Sequence, residues 1–120
     1  MRFTIDWLPP TLNQALRAHW SQRYKCTEVA AAHILAKVGR GPFAGGQKTY
    51  KRDRRKVTIE MYRRQAMDQD GAYGAAKPLF DALVRTGWAR DDSEKWMAQQ
   101  VHALVDRRHP RTEIAIEPFF

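Results

Sequence analysis

Lys56-Val57-Thr58-Ile59-Glu60-Met61-Tyr62 alternates Val57, Ile59 and Met61 against polar side chains and Tyr62. That two-residue period belongs to a strand that buries one face and leaves the other wet. Working outward from this strand places the other elements. Downstream, after a loop from Arg63 to Gly71, the residues Ala76, Leu79, Phe80, Leu83 and Val84 share one apolar helical face, which Gly87 ends. Pro78 leaves two options: it occupies the first helical position, where its missing N–H costs nothing, or it kinks a helix begun near Ala72. Beyond the Asp91-Asp92 loop, Met97 to Asp106 and Thr112 to Pro118 read as two strands joined by a turn over Arg107 to Arg111.

Upstream, four glycines and a proline between Gly39 and Gly46 predict a mobile loop, since such a composition loses too much backbone entropy in regular structure. From about Ala15 to Val38 the residues Leu16, Trp20, Tyr24, Val29, Ala32, Ile34, Leu35 and Val38 recur at helical intervals, with room for a break near Cys26-Thr27. Arg2 to Trp7 reads as a short first strand, stopped by Pro9-Pro10. The expected fold is α/β of the α+β kind: a small mixed sheet of about four strands and two main helices, in the order strand, helix, strand, helix, strand, strand. With 120 residues and 43% hydrophobic content, one domain over residues 1–120 is expected, with one core.

Lys and Arg number 21 against 13 acids, a net charge of +8, which favours a polyanionic partner, nucleic acid first. No apolar run reaches the length that spans a bilayer, so no membrane association is expected. The single cysteine, Cys26, excludes an intrachain disulfide and a cysteine-based zinc site. It is read as a plain buried thiol. The Met1-Arg2-Phe3-Thr4-Ile5-Asp6 start lacks the apolar segment of a secretory signal, and a cytoplasmic protein is expected.

The chemistry concentrates after the central strand. In extended backbone the first and third residues of Asp68-Gln69-Asp70 point the same way, with Cα atoms roughly 6–7 Å apart, so both carboxylates could face one ion. The second helix can return the chain so that Asp91-Asp92 adds a third carboxylate, a hard oxygen set suited to Mg²⁺. One of those two aspartates is expected only to cap the segment beginning at Ser93. Lys77 stands where an ammonium can meet a phosphate held by the metal. His19, His33, His102 and Cys26 form no nucleophile-and-base set, and each histidine is read as packed or exposed, with His19 the partial exception beside Arg17 and the loop at Asn13.

Lys48, Lys51, Arg52, Arg54, Arg55 and Lys56 precede the central strand. Arg63 and Arg64 close it, and Arg107, Arg108 and Arg111 crowd the last turn. Such clusters suit sugar-phosphate contacts and recognition by shape rather than base readout. The competing reading of Lys51 to Arg55 is a solvated, charged strand edge. Trp20, Trp88, Trp96 and Tyr73 could stack on unpaired bases but are read as core or dimer contacts.

The run from Asp68-Gln69-Asp70-Gly71 through Ala76-Lys77-Pro78-Leu79-Phe80-Asp81-Ala82-Leu83, followed by Gly87-Trp88 and Asp91-Asp92-Ser93, resembles the signature region of RusA-type Holliday junction resolvases. Leu8-Pro9-Pro10-Thr11-Leu12-Asn13 and Arg17-Ala18-His19-Trp20 resemble that family's N-terminal region more loosely. The resemblance implies that Asp68, Asp70 and Asp92 bind Mg²⁺, or Mn²⁺ in its place, that Lys77 joins them in catalysis, and that Asp91 is the capping member of its pair. It further implies a homodimer that cuts four-way DNA junctions by paired incisions in recombination and repair, with no organic cofactor. Gly71 departs from the Asn common in the family. Lys77 follows at a longer spacing than in its best-known members, a feature of phage-related relatives. The alternative is a branched-DNA-binding module of the same fold without catalysis.

Overall fold

A computed structural model describes residues 1–11, 20–43 and 53–119. The elements are β1 (Arg2–Ile5), α1 (Trp20–Val38), β2 (Arg55–Arg63), α2 (Gln69–Arg85), β3 (Met97–Val105) and β4 (Arg111–Pro118). This is the expected order, in a four-stranded mixed sheet. The start of the first helix predicted near Ala15 lies outside the described residues, as do Lys51 and Arg52 of the basic set and the loop beyond Phe43.

The sheet runs β1-β4-β2-β3. β2 and β3 are parallel, as a strand–helix–strand crossover through α2 requires, and β4 lies antiparallel to both β1 and β2. Val57, Ile59 and Met61 are buried, together with Ile114 and Ile116 of β4, Phe3 and Ile5 of β1, and Met97 and Val101 of β3. α1 and α2 cover this face. α2 contributes Leu79, Phe80 and Leu83 along with Ala72, Ala75, Ala76 and Ala82, and those alanines keep the helix close to its neighbours. The opposite face carries Arg2, Glu60, Glu113 and Arg111, linked by ion pairs, with Arg2 meeting Glu60 closely.

α2 begins earlier than Ala72 and resolves the Pro78 question in favour of an interior proline. The carbonyl of Gly74 therefore has no helical N–H to accept. The predicted loop over Arg63 to Gly71 is correspondingly shorter. Asp68 stops it by taking an extended N-cap conformation, φ −74° and ψ 167°. Gly39 to Phe43, read as part of a mobile loop, is tied along the end of α2: Gly41 N donates to Thr86 O and Phe43 N to Gly87 O, at 2.9 and 2.8 Å. A Cβ on Gly41 would lie 2.3 Å from Gly87 O, so this approach needs glycine.

Candidate active site

α2 presents Gln69, Tyr73, Lys77 and Asp81 at intervals of four, one stripe along the helix. The stripe lies against β3, the edge strand whose outward carbonyls are otherwise unpaired by the sheet. Gln69 Nε2 donates to Val101 O at 2.9 Å, and Tyr73 Oη to Gln99 O at 2.8 Å. Gln99 Nε2 in turn donates to the backbone carbonyl of Asp92 at 2.9 Å, which holds the Asp91-Asp92 loop against the strand. Tyr73, Lys77, Phe80, Asp92 and Gln99 then line one cavity of about 250 Å³. Lys77 and Asp92, two of the residues singled out from the sequence, thus line the same cavity.

The carboxylate that meets Asp92 is Asp81. Burial, a hydrogen bond to the Asp92 side chain and the charge of Asp92 raise the Asp81 pKa, against the opposing pull of Lys77 and Arg85. Asp81 was assigned no role from the sequence. Its signal was available, because it stands one helical turn beyond Lys77 at the end of the helix that leads to Asp92.

Asp68 and Asp70 take a different position from the one expected. They do not form an extended pair, because Asp68 is the N-cap and Asp70 already lies in the first turn of α2. Asp68 Oδ1 accepts a hydrogen bond from Gly71 N at 2.6 Å. A Cβ at position 71 would lie 2.7 Å from that oxygen, so Gly71 leaves room for the cap. Asp70 and Lys77 are seven positions apart, about 10 Å along the helix axis. Among the described residues no three His, Cys, Asp or Glu side chains gather closely enough to hold one ion, so the set Asp68, Asp70 and Asp92 is not assembled as a single cluster. Asp91 behaves as the capping residue, its Oδ1 accepting from Ser93 N at 3.4 Å.

Sequence reasoning also missed what fastens the Asp92 loop. Asp53 is buried and pairs with Arg90 at 2.8 Å, and Arg90 stacks over the Phe43 ring, 4.8 Å from its centroid. This buried pair joins the segment before β2 to the loop that carries Asp92.

The basic residues divide by surroundings. Arg111 is held between Asp106 and Glu113, at 2.9 and 3.2 Å, and over the Tyr62 ring. Arg54 donates to Lys95 O and lies over Phe119. Arg64, Arg107 and Arg108 are exposed, and Arg63 is half-buried. His33 stacks on Trp7, His102 is exposed, and Cys26 is half-buried rather than fully so. No helix among the described residues is long and apolar enough to cross a membrane.

No protein-family model matches this chain, and no curated protein matches it.

Proposed function

We propose that the protein is a cytoplasmic, homodimeric, Mg²⁺-dependent endonuclease that resolves four-way DNA junctions in recombination and repair. The observation that carries this reading is the shared cavity of Lys77 and Asp92, two residues fifteen positions apart in the chain. Their meeting there is what a phosphodiester-cutting site requires, a cation for the phosphate next to an acid for the metal. In this reading Asp68, Asp70 and Asp92 are the metal ligands, and Mn²⁺ can replace Mg²⁺. Mg²⁺ is commonly held by one or two carboxylates, with waters and substrate phosphate completing its shell, so a carboxylate triplet preassembled without substrate is not needed. Asp81, in contact with Asp92, is positioned to share or orient that ligand. The ion would supply a water of lowered pKa. Lys77 offsets charge developing on the phosphate.

The test is product formation from a labelled four-way junction against linear duplex, with Mg²⁺ and then chelator. Paired nicks confined to the junction and lost with chelator are expected. Asp70→Asn and Asp92→Asn should abolish cutting while leaving junction binding intact, and Lys77→Ala should slow it about 10²-fold. Unchanged cutting by either aspartate variant overturns the assignment. Tight junction binding with no cleavage favours the second reading, a non-catalytic branched-DNA-binding module. The separation of Asp70 from Lys77 and the capping role of Asp68 Oδ1 speak for that reading. Light scattering on the free protein checks the dimer.

A further inference from the structure

A second cavity, of about 430 Å³, opens at the end of β2 and shares no lining residue with those around Asp92. Its wall includes Leu8, Thr11, Arg63, Arg64, Met67 and Pro110. Strand alternation puts Arg63 on the same helix-covered face as Met61, where an aliphatic side chain would be expected. Its guanidinium touches Met61 Sδ and donates through Nη2 to Pro9 O at 2.5 Å. Arg63 Nε is buried and has no hydrogen-bond partner. Among the described residues no carboxylate pairs with this guanidinium, and burial alone lowers its pKa. A single neutral carbonyl does not balance a partly desolvated cation, and a buried donor left unmade is costly.

Three other arginines face carboxylates: Arg2 meets Glu60, Arg90 meets Asp53, and Arg111 meets Asp106 and Glu113. Arg63 stands out as a half-buried cation at a cavity wall, next to a second, exposed guanidinium on Arg64. An anion entering from the cavity would supply a counter-charge. Planar guanidiniums match the oxygens of a phosphate two at a time. Leu8, Met67 and Pro110 give the rest of the wall an apolar character, which a small hydrated ion does not use but a sugar or base does.

We propose that this cavity binds one nucleotide of a DNA strand, its phosphodiester on Arg63 and Arg64 and its sugar or base against Leu8, Met67 and Pro110. The identity of the strand as DNA rests on the function proposed above; the unbalanced charge and the cavity do not. Met67 immediately precedes Asp68, so the cavity adjoins the start of α2, where Asp68 and Asp70 stand.

The test uses the full chain in chelator, with ¹⁵N spectra of the arginine Nε–H groups, titrated with tetrathymidylate and separately with inorganic phosphate. The Arg63 signal is expected to move with tetrathymidylate. Arg63→Met should weaken tetrathymidylate binding by about tenfold or more, the scale of losing a charged hydrogen bond. Arg63→Lys keeps the charge without the Nε–H and should restore binding only in part, while Arg2→Met, at a guanidinium paired with Glu60 and assigned no part in binding, should leave it unchanged. An Arg63 signal that stays still while those of Arg107 and Arg108 move overturns the proposal. A response to inorganic phosphate without one to tetrathymidylate overturns the nucleotide assignment and leaves a free-anion site. Neither metal nor cleavage enters this measurement, so a protein that fails to cut junctions still decides it.

Discussion

Two guanidiniums withdrawn from solvent mark opposite situations in this protein. Arg90 lies at the corner between α2 and β3, is largely buried, and has Asp53 at 2.8 Å and the Phe43 ring beneath it. Arg63 lies at the far end of β2 with a carbonyl, a thioether and an unsatisfied Nε. The first charge is spent within the fold and holds the Asp92 loop. The second is left available. A net charge of +8 therefore does not describe a uniform surface, and the arginines with no carboxylate beside them are the informative ones.

The largest effect that sharpens this contrast comes from Asp53→Ala. It removes the carboxylate at 2.8 Å from a largely buried guanidinium and should cost about 3–5 kcal/mol in urea denaturation. A loss under 1 kcal/mol would mean that the pair does not hold the loop. Arg63→Met removes a cation that is already uncompensated, so folding stability without ligand should stay level or rise by about 1 kcal/mol. A clear loss in the same denaturation experiment would place Arg63 with Arg90, as a charge satisfied within the fold.

Arg111 supplies an intermediate case through the Asp106 turn. The His109 N–H, then the Arg111 guanidinium and the Arg108 N–H, hold the Asp106 carboxyl below its usual range. A carboxylate depressed in the folded state stabilises the fold above its unfolded pKa, near 3.9, and that stability is lost as pH falls from there through the folded value. Asp106→Asn should therefore flatten the acid limb of the stability curve below about pH 4, measured by thermal melts across pH. The same limb in the variant as in the parent would show that the turn contributes nothing.

Asp81→Asn is the smallest change. It removes the like charge facing Asp92 and should raise the melting temperature slightly in chelator at neutral pH, where the raised folded pKa of Asp81 weighs against the fold. Mg²⁺ should stabilise the parent and do so less in this variant. Equal Mg²⁺ shifts in the two proteins would remove Asp81 from the neighbourhood of the ion.

The site was legible in parts. Lys77 and Asp92, grouped from the sequence, line one cavity. Assigning one residue of Asp91-Asp92 to capping was also readable, because an aspartate two residues before an N–H is a local arrangement. Asp68-Gln69-Asp70 misled because the pattern was placed on extended backbone, whereas the docking of Gln69 and Tyr73 on β3 draws the helix start back to Asp68. Asp81 and Asp53 went unseen because each takes its meaning from a residue that is distant in sequence.

The type and order of the elements, and the face each one buries, follow from local pattern. Side-chain periods of two and 3.6 are written within a few neighbouring residues, so β2 and the apolar face of α2 could be read directly. Tertiary packing sets β4 between β1 and β2, brings Asp81 to Asp92, and, among the described residues, gives Arg63 no carboxylate such as Arg90 and Arg111 find. Those outcomes depend on register between segments far apart in the chain. Local pattern carries no record of which charge a distant segment brings to the same place.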